Sequence, residues 1–148
     1  LTIWTNEQIL QEFEFDEDDF APCTLDDFGL EYGDYRFDGY GGFCILSTSM
    51  GKNPSYYFWL WDKENNCFVE DHDLEQINGS ITFEYDKELI SVAGSAGNDY
   101  HEFKIYKYID GKLTLIEKAI DTRGYRKIYR LEDGELKLKE ITESQMLG

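Results

Sequence analysis

The sequence contains no apolar run near the roughly 20 residues that a membrane-spanning helix requires, and we predict no membrane span. It is also poor in basic residues, with 14 Lys and Arg against 31 Asp and Glu and a formal net charge of −17. Such a charge repels nucleic-acid phosphates and anionic lipid headgroups, so we predict no direct role on either. The 148 residues predict one domain over 1–148, with an acidic segment at 1–30 and a β-hairpin core at 31–148.

Sequence motifs of nucleophilic and phosphate-transfer enzymes are missing. There is no G-x-S-x-G elbow, and the stretch 94–97 lacks the G-K-[ST] ending of a phosphate-binding loop. The chain has two histidines: His72 lies in an acidic loop, where it is a solvated neighbour of carboxylates, and His101 begins a strand. Carboxylates are numerous enough for a glycosidase-like pair, but no spacing distinguishes one pair. We therefore predict that the protein is not an enzyme and carries no catalytic residues or organic cofactor.

Cysteine is scarce, and its spacing matches no metal site. Cys23, Cys44 and Cys67 form no C-x-x-C motif, and at most one disulfide can join them. Three buried, reduced thiols are the simpler interpretation, because free Cys behaves as a small hydrophobe. The cysteines therefore do not assign a compartment. Because the chain begins with Leu1 and not with Met, we expect a processed or trimmed product.

Aromatic residues make up 16% of the chain, which favours a packed core over a disordered acidic tail. Short apolar runs at 43–48 and 56–61 predict central strands, and apolar residues alternate with polar ones at 81–85. Residues 6–13 fit a short helix or a first strand equally well. No long helix separates these segments, so the pattern argues against a parallel βαβ fold.

Two Asp-Gly pairs, at 110–111 and 133–134, lie between alternating apolar residues. Asp-Gly supplies the positive φ angles of a tight hairpin turn, and residues 56–70 look like a third hairpin with a longer turn. The sequence therefore predicts an all-β fold of antiparallel hairpins, arranged as a sandwich or an incomplete propeller-like meander.

The aromatic strand 56–61 is apolar on both faces, which is typical of a central core strand. The alternative is that the face bearing Trp59 and Trp61 is an exposed platform for a carbohydrate or a protein. We expect the loops 39–42 and 94–99 at a binding end, because function is commonly carried by loops on a rigid sheet.

The negative charge is unevenly distributed. Residues 1–40 hold 12 acids and one base, a net of −11, whereas residues 101–148 hold 9 acids and 10 bases, a net of +1. The densest acidic run is 12–19. It predicts either a solvated face or a docking surface for a basic protein, where complementary charge raises the association rate.

Residues 34–42 have the skeleton of a calcium loop, D-x-[DN]-x-[DN]-G-x-x-D. Ca²⁺ takes six to eight oxygen ligands, and alternating acids turn their carboxylates towards it. Asp34 and Asp38 fit the first and fifth positions, and Tyr40 offers its carbonyl at the seventh. Arg36 occupies the third position and Gly42 the ninth, where carboxylates are expected. Asp34, Asp38 and Tyr40 are therefore the candidate metal ligands, or the residues of a loop that has kept its turn and lost the metal.

This loop, with the strand 43–48 after it, resembles the D-x-N-x-D-G-Y-x-D-L loop of FG-GAP-like bacterial proteins. The aromatic segment 53–62 with Cys67 and Phe68 resembles their Y-x-Y-W-L-(F/Y)-D…F hairpin, and the hairpin 106–115 extends the likeness over residues 30–120. The resemblance is to small secreted β proteins related to a lysozyme inhibitor that protects a type IV secreting bacterium from its own lytic effector.

The resemblance implies a binding role, an extracytoplasmic location (periplasmic, secreted or lipid-anchored) and a basic glycan-cleaving enzyme as partner. Arg36 and Gly42 depart from the family's ligands. The predicted function is thus a non-enzymatic, lysozyme-inhibitor-like binding protein, which we expect to be a monomer. The alternatives are a cytoplasmic immunity protein that neutralises a basic toxin and a carbohydrate-binding module.

Overall fold

The structure is a computed structural model that describes residues 1–15, 29–48 and 53–143. The chain divides into two compact units: unit 1 is Leu1–Met50 with Pro54–Gln76, and unit 2 is Gly51–Asn53 with Ile77–Gly148. Every strand pairing is antiparallel, which confirms the predicted all-β class. A single domain over 1–148 stays a prediction. Cys23 and residues 16–19 of the acidic run 12–19 lie outside the described residues.

Unit 1 consists of a two-stranded hairpin, a four-stranded sheet and a short helix. Residues 6–13 belong mainly to the hairpin, because Asn6 and Glu7 take positive φ angles of 44° and 67° and turn the chain between two strands. The sheet order is β3-β4-β5-β6, so each strand pairs with its neighbour in sequence. The elements are β1 Thr2–Thr5, β2 Gln8–Glu12, β3 Glu31–Gly33, β4 Gly42–Thr48, β5 Ser55–Asp62, β6 Cys67–Glu70 and α1 His72–Glu75.

The core of unit 1 lies where β4 and β5 pair. Phe43 and Trp59 are register partners, and their rings stack with centroids 5.0 Å apart. Phe58, Trp59 and Leu60 are consecutive and all buried, so both faces of β5 are covered. The central-strand interpretation of this segment is therefore correct. Trp59, only 7% exposed, is a core residue and not part of an exposed platform.

Unit 2 is a six-stranded meander in sequence order. Asp110 and Gly111 have φ angles of 50° and 75°, and Asp133 and Gly134 of 53° and 83°, which confirms both Asp-Gly hairpins. Gly94, which we expected in the loop 94–99, instead pairs with Glu102 and belongs to a strand. The strands are β7 Ser80–Glu84, β8 Leu89–Ser95, β9 Tyr100–Ile109, β10 Lys112–Thr122, β11 Tyr125–Glu132 and β12 Glu135–Glu143. Within the described ranges, no helix has the length and apolarity to cross a membrane.

Candidate functional site

The loop between β3 and β4 is held by its own carboxylates. The two oxygens of Asp34 accept the N–H groups of Asp38 at 3.1 Å and of Gly39 at 2.8 Å. The Oδ1 of Asp38 accepts the N–H of Tyr40 at 3.0 Å. Asp34 and Asp38 thus lie in the same turn, and they satisfy backbone donors that a tight turn leaves unpaired.

The residues of this loop do not supply the oxygen donors that Ca²⁺ requires. The third position, Arg36, directs its guanidinium to Asp71 and not into the loop. The ninth position, Gly42, has no room for a side chain, because a Cβ there would lie 2.7 Å from the carbonyl oxygen of Trp59 and 2.6 Å from Leu60 Cδ2. Two carboxylates and one carbonyl fall short of six to eight oxygens. Calcium binding by Asp34, Asp38 and Tyr40 stays a prediction that these observations weigh against.

Arg36 ties the loop to the start of helix α1. Its Nη2 lies 2.5 Å from Oδ2 of Asp71, whose side chain is 6% exposed. The other oxygen of Asp71 accepts the N–H of Leu74 at 3.0 Å and caps the helix. The cation at the third loop position therefore neutralises a buried carboxylate 35 residues away.

Tyr35 fixes the start of the same loop in the core. Its hydroxyl donates to the carbonyl oxygen of Glu31 at 3.0 Å and lies 3.3 Å from the Sγ of Cys44. Burial raises the pKa of the Cys44 thiol, so the thiol stays protonated and unreactive at neutral pH. Cys44 and Cys67 are both free thiols, as expected, but only Cys44 is buried, and Cys67 is half-buried.

A first groove, of about 310 Å³, lies between this loop and the turn that joins β5 to β6. Tyr40, which is 43% exposed, lies at this groove under the ammonium group of Lys63, 5.5 Å from the ring centroid. Hydrogen bonds from Asn65 and Glu64 lower the pKa of Asp62 at its edge. Four acids, Asp38, Asp62, Glu64 and Glu70, and two bases, Arg36 and Lys63, are among its described lining residues. Its lining includes Arg36, Asp38, Tyr40, Trp61, Asp62 and Lys63.

A second groove in unit 1, of about 520 Å³, is acidic, and we call it the acidic groove. Among the residues that the structure describes, its charged lining residues are Glu12, Glu14 and Glu70, all exposed. In the described part of the chain, none of these three carboxylates has an ion pair. Its aromatic lining residues are Phe13, Phe15, Tyr57 and Trp59.

The acidic groove forms because the segment after β2 is anchored on the sheet. Phe13 and Phe15 lie with their rings 5.9 Å and 5.4 Å from the ring of Trp59. Next to them, Gln11 pairs with the edge of β6: its Nε2 donates to the carbonyl oxygen of Phe68 at 2.9 Å, and its Oε1 accepts the Phe68 N–H at 2.7 Å. This side-chain amide extends the sheet edge as a strand would and brings Glu12 and Glu14 to the same groove as Glu70.

Sequence reasoning identified Glu12 and Glu14 in the acidic run but did not identify Glu70 or the pair formed by His72 and Glu75. The Nδ1 of His72 lies 2.8 Å from Oε2 of Glu75. The spacing of three residues is the available signal, but it places two side chains together only within a helix, and this helix is four residues long.

These features define an all-β protein with a recessed acidic surface, and comparison with known proteins agrees on the fold. The chain is similar to the solved structure of a Xanthomonas type IV secretion system related protein, with a TM-score of 0.63 and 23% sequence identity. The match covers 75% of this chain and 57% of that one, so this chain matches less than two thirds of the neighbour's length. At this identity the likeness shows the fold. No protein-family model and no curated protein matches the chain.

Proposed function

We propose that this protein is a non-enzymatic binding protein whose acidic groove receives a basic partner protein. The observation that carries the proposal is the concentration of Glu12, Glu14 and Glu70 in one groove whose described lining contains no Lys or Arg. Carboxylates that repel one another are electrostatically unfavourable in the free protein. A basic partner removes that repulsion on binding.

The aromatic lining of the acidic groove also favours Lys and Arg side chains as the groups that bind there. Lys and Arg side chains bind aromatic ring faces, with about 0.5–2 kcal/mol per contact depending on desolvation. Arginine also pairs with carboxylates through two parallel hydrogen bonds. Tyr57, Phe13 and Phe15 are half-buried at the groove, so an inserted basic side chain meets ring and carboxylate together.

The partner class follows from the resemblance to lysozyme-inhibitor-like proteins and is supported by the fold shared with a type IV secretion system related protein. We infer that the partner is a basic glycan-cleaving enzyme and that binding inhibits it, outside the cytoplasm. A cytoplasmic immunity protein would use the same acidic groove against a basic toxin and differs in compartment. The carbohydrate-binding alternative has weaker support, because Trp59 is buried.

The experiment measures binding of a strongly basic muramidase by surface plasmon resonance, together with its rate of cell-wall clearing. We expect the triple variant Glu12→Gln, Glu14→Gln, Glu70→Gln to bind at least about tenfold more weakly, mainly through a slower association rate. The wild-type interaction should also weaken as salt increases, because exposed charges are screened.

The matched control is the triple variant Glu135→Gln, Glu140→Gln, Glu143→Gln, which changes the net charge equally in unit 2, where all three residues are exposed. Equal losses in both triple variants would assign binding to bulk charge and overturn the proposal. A basic protein without glycan-cleaving activity tests the partner class: equally tight binding of that protein would refute a dedicated enzyme inhibitor.

A further inference from the structure

Three potential metal ligands converge beside the acidic groove. Glu70 ends β6, His72 begins α1 and Glu75 ends it, and one ligand atom from each lies within 4.8 Å of the other two. Among the described residues, this is the one group of three or more His, Cys, Asp or Glu side chains whose ligand atoms lie so close together. We call it the Glu-His-Glu cluster.

The backbone around the cluster is held by contacts that are independent of the three side chains. Asp71 lies between Glu70 and His72 in sequence, and its carboxylate caps α1 by accepting the N–H of Leu74. The backbone N–H of Asp71 donates to the carbonyl oxygen of Phe58 at 2.8 Å. Asp71 is further fixed by Arg36. The cluster therefore stands on a positioned strand-to-helix junction, as a metal site requires.

One ligand is already oriented. The Oε1 of Glu75 accepts the N–H of Phe58 at 3.4 Å, which leaves Oε2 directed at the imidazole of His72. The side chains of Glu70 and His72 are exposed, whereas that of Glu75 is half-buried.

The chemistry of the donors selects the ion. One imidazole nitrogen and two carboxylate oxygens suit Zn²⁺, which binds them at about 2.0–2.2 Å in tetrahedral geometry. Ca²⁺ and Mg²⁺ instead require more ligands, nearly all of them oxygen. Three protein ligands leave a fourth position for water or for a group from a partner.

We propose that Glu70, His72 and Glu75 form a binding site for a divalent transition-metal ion of the Zn²⁺ class. The ion replaces the proton that joins His72 to Glu75 and neutralises the adjacent carboxylates. Since Glu70 belongs to both the cluster and the acidic groove, the bound ion withdraws one carboxylate from that groove.

The test is a titration of the chelator-treated full chain with ZnCl₂, followed by calorimetry and by ¹H NMR of the imidazole protons. Because the chain has two histidines, one variant, His72→Gln, is enough to assign the imidazole NMR signals to His72 and His101. We expect one Zn²⁺ per chain and a shift of the His72 signals, while the His101 signals stay in place. His72→Gln and Glu75→Gln should each weaken binding by more than the 10- to 100-fold typical of losing a supporting partner.

The matched control is His101→Gln, which removes the other histidine, in unit 2, and should leave Zn²⁺ affinity unchanged. The proposal is overturned if wild type binds no Zn²⁺, if His101→Gln removes binding, or if the ion binds without moving the His72 signals. It is also overturned if Ca²⁺ or Mg²⁺ binds at the cluster as tightly. Because no partner protein is present, these outcomes are independent of the proposed function.

Discussion

Replacing Arg36 by Met tests whether the residue at the third position of the loop stabilises the folded protein. In wild type its guanidinium is 2.5 Å from the Asp71 carboxylate, with side-chain exposures of 45% and 6%. A fully exposed ion pair contributes about 0–1 kcal/mol, and breaking a fully buried one costs about 3–5 kcal/mol. This pair is buried at one end, so we expect Arg36→Met to lower the free energy of unfolding of unit 1 by about 2 kcal/mol.

The assay is urea unfolding followed by tryptophan fluorescence, which reports unit 1 because all three tryptophans lie in it. At a typical slope of about 2 kcal/mol/M, the midpoint falls by about 1 M. Asp71→Asn removes the charge and keeps a helix-capping side chain, so it provides the second arm of a double-mutant cycle. We expect a coupling energy between Arg36 and Asp71 of about 1–2 kcal/mol. A coupling energy below about 0.3 kcal/mol would refute the view that this ion pair stabilises unit 1.

Two further predictions concern the neighbouring residues. Gly42→Ala should destabilise unit 1 by about 1–3 kcal/mol, because the added Cβ would overlap the backbone of β5. Gly41 is exposed and has open space around it, so Gly41→Ala should change the free energy of unfolding by no more than about 0.5 kcal/mol. Equal urea midpoints for the two variants would contradict the steric argument. The hydrogen bond and charge of Glu75 raise the pKa of His72. The pairing therefore stabilises the folded state fully at a pH below the ordinary histidine pKa of about 6.5, and this stabilisation is lost as the pH rises through the raised pKa. An NMR titration should show that Glu75→Gln lowers the pKa of His72, and an unchanged pKa would contradict the pairing.

The hairpins were predictable from sequence because their determinants are local. Asp110 and Gly111 occupy adjacent positions whose positive φ angles match the turn, and alternation on either side specifies the faces of the strands. The loop at 34–42 was predictable as a turn for the same reason. Its anchoring was not, since the partner of Arg36 lies 35 residues further along the chain.

The acidic groove could not be predicted for a related reason, since it depends on a contact between positions 57 residues apart. Gln11 binds the backbone of Phe68, and nothing in either local sequence indicates that pairing. The acidic run near the N-terminus indicated a charged surface, but it did not indicate that Glu70 would complete it. Sequence therefore predicted the sign of the surface, and the fold determines its shape.

The alternation of Glu12, Phe13, Glu14 and Phe15 explains why the groove can be tested without disturbing the core. Both phenylalanines contact the buried Trp59, while the two glutamates are exposed. Stability of this segment comes from aromatic burial, which Glu→Gln substitutions leave intact. Neutralised variants should therefore unfold near the wild-type urea midpoint and lose only the electrostatic attraction. A loss of binding together with a large fall in that midpoint would instead mean that the carboxylates hold the segment in place.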